Sequence, residues 1–282
     1  MRTSWSSHWT IEGTNNWYPG EILGDARYTE KSVDVLSSRA RQAFSEYFPI
    51  STLRRPDGRV YRTVRHGPLL DVFVLDMRTY RNANSTDDQT TDAQGILGAE
   101  QLKWLKGELS RSRAVWKVIA SDMPLGLVVP DTGDGKPNIE AVAQGVPGAP
   151  LGRELQIAEL LRFIKHRRIT GTVWLTADVH HTSAQHYQPS RAAFTDFEPF
   201  WEFVSGPLNA GAFPASALDN TFGPERVFVK APTASNVSPA GGYQFFGEVD
   251  IDGHSGELTV RLREQDGTVL FTKVLQPGRV GQ

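Results

Sequence analysis

Three buried-strand runs separated by two amphipathic stretches constrain this chain more than any other feature. Leu69–Asp76, Val115–Ala120 and Thr172–Thr176 are short and dominated by apolar and β-branched residues. Between them, Gly98–Arg113 sets Leu102, Leu105 and Leu109 on one helical face, and Gly152–Arg168 does the same with Leu155, Ala158, Leu161 and Ile164. This alternation predicts a layered α/β domain. After Pro199 the pattern turns to short β-rich runs: Trp201–Val204, Arg226–Lys230, Phe245–Ile251, Leu258–Arg263 and Val269–Val274. Turn sequences at Asp252–Gly256 and Gln265–Gly267 separate the last three, so a meander forming an antiparallel edge is expected. A further helix is expected over Glu30–Tyr47.

With 282 residues, 39% of them hydrophobic, the chain can bury a real core, and a single domain over residues 1–282 is expected. A net charge of −2 leaves no electrostatic footprint for nucleic acid. No window approaches the roughly 18 apolar residues of a membrane helix. Met1-Arg2-Thr3-Ser4-Trp5 lacks the apolar run of a signal peptide, so a cytoplasmic location is expected. Zero cysteines exclude disulfides, thiolate ligands and a cysteine nucleophile. The chain has no Walker sequence, no Gly-x-Gly-x-x-Gly after a strand and no Gly-x-Ser-x-Gly.

The chemistry gathers at strand ends. Val173-Trp174-Leu175-Thr176-Ala177-Asp178-Val179-His180-His181 runs from a buried strand into an acid and two imidazoles. In open α/β sheets the carboxyl edge of the strands is where sites are built. A carboxylate and an imidazole two residues apart can share a borderline or hard metal ion. On an extended segment Asp178 and His180 share a face, whereas His181 points away unless the backbone turns. Asp76 and Asp122 end two other strands, where each is either a convergent ligand or a turn former. Arg78 and Arg81 follow a strand directly; a guanidinium fork there suits phosphate oxygens or a surface ion pair. The Asn15–Gly20 loop offers Asn16, whose amide oxygen is a hard ligand or a turn former. His186 reads as structural or surface. Ser121–Pro150, rich in Gly, Pro and Asp, reads as a mobile functional loop overhanging the same cleft rather than as packed structure.

Taken together, these residues resemble the alkaline phosphatase D family, the PhoD-like phosphatases among the calcineurin-like metallophosphoesterases. The segments that carry the resemblance are Asn15–Glu21, Tyr28–Lys31, Gly67–Arg78, Leu97–Leu105, Trp174–His180 and Trp201–Pro207, in family order along nearly the whole chain. The resemblance implies two mixed β-sheets packed face to face and flanked by helices. It also implies a two-metal site of iron and calcium, and hydrolysis of small phosphate monoesters or diesters. Asp178 and His180 match the family's last metal-binding motif, and Asn16 matches an asparagine ligand. Where the family usually reads Trp-Asp-Asp-His-Glu, this chain has Trp5-Ser6-Ser7-His8-Trp9. A carboxylate ligand thus gives way to the Ser6 hydroxyl, a far poorer ligand for a hard cation. The family's first metal motifs would lie upstream of Met1, so the sandwich is expected to be incomplete at its N-terminus.

The expected function is metal-dependent phosphate-ester hydrolysis, weak in this chain. Asp178, His180, Asn16 and Asp122 are the candidate ligands, Arg78 the candidate phosphate clamp, and His181 the candidate proton donor to the leaving group. The competing expectation is a non-catalytic fragment or degenerate paralogue that keeps part of a metal or phosphate site.

Overall fold

The computed structural model describes residues 2–5, 14–48, 58–84, 95–131 and 138–278. In chain order the elements are β1 (Arg2–Trp5), α1 (Val33–Tyr47), β2 (Arg62–His66), β3 (Leu70–Val74), α2 (Ala99–Arg111), β4 (Trp116–Ala120), β5 (Pro130–Asp131) and β6 (Asn138–Ile139). They continue with α3 (Glu154–His166), β7 (Thr172–Thr176), β8 (Thr182–Tyr187), β9 (Phe200–Val204), β10 (Pro224–Lys230), β11 (Phe245–Ile251), β12 (Leu258–Glu264) and β13 (Val269–Leu275).

Seven strands form one sheet in the order β10-β8-β9-β7-β4-β3-β2. Strands β3, β4, β7 and β9 run parallel, while β2, β8 and β10 pair antiparallel. A second sheet, β1-β11-β12-β13, is antiparallel in all its pairings. The C-terminal meander therefore does not edge the first sheet but builds a separate one, and only the larger of these two sheets is mixed.

The two sheets pack against each other. Leu70, Trp116, Val118, Val173, Leu175 and Phe203 share one core with Val249, Ile251, Val260 and Leu262. A second core joins Phe73, Ile119 and Trp174 to Leu102, Leu105 and Leu109 of α2 and to Ile157, Leu160, Leu161 and Ile164 of α3. Covered in this way, β4 is buried at every position, as expected of a parallel strand with both faces covered.

Strands β7 and β11 occupy the residues their sequences indicate. Helix α1 starts three residues late because the preceding loop claims Glu30–Ser32. Leu23 N donates to Lys31 O, Ser32 N to the Glu30 carboxylate, and Val33 N to Glu21 O. Helix α2 starts after Gly98, whose φ of 73° is not helical. Strands β2 and β8 carry no apolar signal; in β8, Ser183 and Gln185 are fully buried, and Gln185 Nε2 donates to Ser183 Oγ. Among the described residues no helix is long and apolar enough to cross a membrane. The four parallel strands direct their carboxyl ends to one edge of the sheet.

Candidate active site

At that edge opens a cleft of about 860 Å³. Asn15, Asn16, Arg78, Glu140, Asp178, His180, Ser216 and Ser235 supply its polar lining, and Val128, Val129, Pro130, Phe213, Pro214 and Ala217 much of its apolar lining. Strand β7 ends at Thr176, and Ala177 N then donates to Asp122 O at 3.0 Å, fastening this strand end to the one after β4. Val179 N donates to Ala177 O at 2.8 Å, closing a tight turn centred on Asp178. The segment is therefore not extended. The turn, rather than strand alternation, brings Asp178 and His180 to the cleft. Asn16, Asp178 and His180 have φ values of 53°, 66° and 56°, a left-handed conformation that Asn, Asp and His adopt more readily than most residues.

His180 is held on two sides. Its Nδ1–H donates to Gly211 O at 2.6 Å, and its ring meets Phe213 edge-on at 5.4 Å. A carbonyl can only accept, so Nδ1 carries a proton, and in the neutral ring the lone pair lies on Nε2.

Arg78 lines the cleft but is not free to clamp a phosphate. It is 1% exposed, with Nε 3.5 Å from Asp122 Oδ2, Nη2 3.5 Å from Asp178 Oδ1, and Nη2 in close contact with the Glu140 carboxylate. Three carboxylates thus gather on one guanidinium, and the expectation of a phosphate clamp is corrected to a buried counter-ion. Burial pushes Asp122 up to about 7 against the pull of Arg78, and burial raises Glu140 too. Asp122 faces Arg78 and does not line the cleft.

His181 lies outside the lining as well. It is fully buried, its Nδ1 is bonded to Val179 O at 3.0 Å, and burial lowers its pKa to about 4. A neutral, enclosed imidazole cannot donate to a leaving group in the cleft, and that expectation is corrected. Asp76 is a turn former, its Oδ1 accepting from Arg78 N and Thr79 N. His186 is structural, stacked on Trp201 at 4.6 Å.

Asn16 is fixed from behind by a network its sequence did not announce. Its Nδ2 donates to Asp131 Oδ1 at 3.1 Å. Asn84 Nδ2 donates to Asn16 O and to Asp131 Oδ2, both at 2.8 Å, while Asn84 Oδ1 accepts from Arg81 and Arg153. Arg81 is buried rather than in a surface pair; burial and the nearby Arg78 and Arg153 lower it to about 9. Arg153 also donates to the carbonyls of Ile139, Glu140 and Ala141, which positions Glu140. The Ser121–Pro150 segment does border the cleft, through Val128, Val129, Pro130 and Glu140. Within its described part, Ser121–Leu127 and Glu140–Gln144 are nonetheless buried. Ser6, Ser7, His8 and Trp9 of the departing motif lie outside the described residues, as do 85–94 of the Asn82–Gly95 loop and 132–137.

Among the described residues no three His, Asp or Glu side chains form a group that could hold a metal ion. They do not supply a two-ion centre. Asp178 and His180 both line the cleft, and Nδ1 of His180 is bonded to a carbonyl, the kind of outer hydrogen bond that metal-ligating histidines make.

Fold and cleft together define a mixed α/β protein with its polar site at the carboxyl edge of a parallel sheet core. The sequence pattern of the family described as PhoD-like phosphatase matches residues 3–262, and the chain belongs to that family. It is 30% identical over 193 residues to alkaline phosphatase D of Bacillus subtilis (strain 168), across 62% of this chain and 31% of that protein. A solved structure described as "Structure of PhoD" shares the fold with a TM-score of 0.59 at 20% identity, over 96% of this chain and 51% of that one. The chain thus spans about a third of the curated relative and about half of the solved chain.

Proposed function

We propose that the cleft binds a small phosphate ester and that the chain hydrolyses it with one metal ion held by Asp178 and His180. The observation that carries this reading is the Nδ1–H bond from His180 to Gly211 O, which leaves the Nε2 lone pair as the nitrogen available to a ligand. Charge supports it as well. Among the described residues the charged lining is one guanidinium against the carboxylates of Glu140 and Asp178, so a phosphate anion needs a further cation to enter. A carboxylate–imidazole pair suits a borderline divalent or trivalent ion. Such an ion, if bound there, would supply Lewis acidity. Arg78 holds Asp178 in place and limits the negative charge around it. Asn16 donates its Nδ2 to Asp131, which leaves the amide oxygen as the atom it offers to metal or substrate. We read the two packed sheets and the α2–α3 layer as a metallophosphoesterase sandwich.

The test is hydrolysis of p-nitrophenyl phosphate and bis-p-nitrophenyl phosphate with and without chelator, alongside elemental analysis. Turnover should require added metal, vanish in His180→Ala, and accompany no more than one ion per chain. Chelator-insensitive turnover would remove the metal reading. Metal binding without turnover on either ester would leave only the non-catalytic alternative.

A further inference from the structure

We infer that the organic arm of the substrate is compact and apolar, and that Phe213 selects it. The inference rests on the reading of the cleft as a phosphate-ester site and names the ester's other half. A volume of about 860 Å³ falls in the range of sites for drug-sized ligands, roughly 300–1,000 Å³, far beyond what a phosphoryl group fills. What lines the remaining space decides the class. Among the described lining residues the charged ones are Arg78, Glu140 and Asp178, and all three meet at one guanidinium. Among the described residues no lining cation is left for a second anionic group, which argues against di- and triphosphates and carboxylated sugars. The rest of the described lining is uncharged: Asn15, Asn16, Ser216 and Ser235 are polar, and the larger apolar share from Val128, Val129, Pro130, Pro214 and Ala217 suits a largely apolar moiety instead.

Phe213 is the residue placed to read that moiety. It is 38% exposed while bordering the cleft, so its ring is not committed to the core. The same ring touches His180 edge-on, so an arm attached to a phosphorus held at His180 would reach it first. The residue is also pre-organised. Phe213 N donates to His180 O at 3.1 Å, and the adjacent Ala212 exchanges both backbone hydrogen bonds with Val237 at 2.9 Å. An ordered aromatic surface costs no rearrangement when a second apolar ring stacks on it.

Binding of non-hydrolysable probes tests this without relying on turnover. Phenylphosphonate and methylphosphonate are titrated calorimetrically into the metal-supplemented wild-type chain, Phe213→Ala and Phe213→Leu. The wild type should bind phenylphosphonate at least about fivefold more tightly than methylphosphonate, the size of a single aromatic contact. Phe213→Ala should bring the ratio of phenylphosphonate to methylphosphonate affinity to about one, whatever it does to both affinities together, and Phe213→Leu should keep part of the preference. Equal affinity of the wild type for both probes overturns the selection by Phe213 and leaves the phosphate site standing. A preference that survives in Phe213→Ala also overturns it. Failure of both probes to bind overturns this inference together with the function it rests on.

Discussion

Glu202 lies in the middle of β9, fully buried, and its charge can be removed with almost no change of shape. Its Oε2 accepts from Tyr187 Oη at 2.6 Å and its Oε1 from Leu125 N at 2.9 Å. Burial raises its pKa from 4.5 to about 7. A carboxyl whose folded pKa exceeds its unfolded one binds its proton more tightly in the folded state. Its contribution to stability is therefore complete below pH 4.5 and is lost as pH rises through about 7. At about 1.4 kcal/mol per pKa unit the loss totals about 3 kcal/mol. Glu202→Gln keeps an acceptor for Leu125 N and never ionises. We expect its stability relative to wild type to climb by about 3 kcal/mol between pH 4.5 and 8, a Tm difference of roughly 6–12 °C for a chain of this size. The weaker bond between Tyr187 and an amide adds an offset that does not change with pH, so the slope is what should be read. Comparison with the variant is essential because His181 acts in the opposite direction. Burial lowers that imidazole from 6.5 to about 4, so its stability contribution is lost as pH falls across that interval, largely cancelling Glu202 in the wild type. Urea unfolding at pH 5, 6, 7 and 8 measures both proteins. Parallel stability curves for wild type and Glu202→Gln would refute the assignment of a desolvated carboxyl in the sheet.

Three further outcomes follow from buried groups. His181→Gln should lose less stability than wild type when urea unfolding is compared at pH 6.5 and pH 4, by about 3 kcal/mol. Arg78→Met strips the guanidinium from Asp122, Glu140 and Asp178, and thermal denaturation at pH 8 should show a loss of roughly 3–5 kcal/mol. At pH 5 the loss should shrink, because burial raises the pKa of both Asp122 and Glu140 and they then take up protons. Gly171 precedes β7 with φ 70°, and a Cβ there would stand 2.1 Å from Val115 O. Gly171→Ala must displace backbone and should cost more than the roughly 1 kcal/mol of left-handed strain alone, read from the urea midpoint.

Much of the fold was legible where burial is apolar. β4, β7 and the two helices behind the sheet announce themselves because their buried positions are filled by Leu, Ile, Val and Trp. β8 does not, because Thr-Ser-Ala-Gln-His-Tyr is buried between two neighbouring strands as a polar run, with no periodic apolar signal to read. In the cleft, Asp178 and His180 were visible because an acid and an imidazole follow a buried strand. Glu140, Asn84 and Phe213 were not, since each stands in irregular chain placed by long-range hydrogen bonds. Arg78 was misread for a related reason: its own segment shows a guanidinium after a strand, while the acids that engage it come from three other parts of the chain. His181 as a proton donor needed its ring in the cleft, but the side chain turns into the interior, away from Asp178 and His180, as alternation along an extended segment would also have it.

The left-handed backbone at Asn16, Asp178 and His180 limits how this protein can change. A non-glycine residue in that conformation costs about 1 kcal/mol or more, and the cost is greatest for branched and bulky side chains. Asp178→Glu keeps the charge yet meets the same backbone with a longer, less tolerant side chain, so even the mildest exchange is not mild. Asp178→Gly relaxes the backbone and deletes the carboxylate in one substitution. Glycine would relieve the backbone at all three positions, so what repays the strain is the bond each side chain makes: Asn16 to Asp131, Asp178 to Arg78 and His180 to the Gly211 carbonyl.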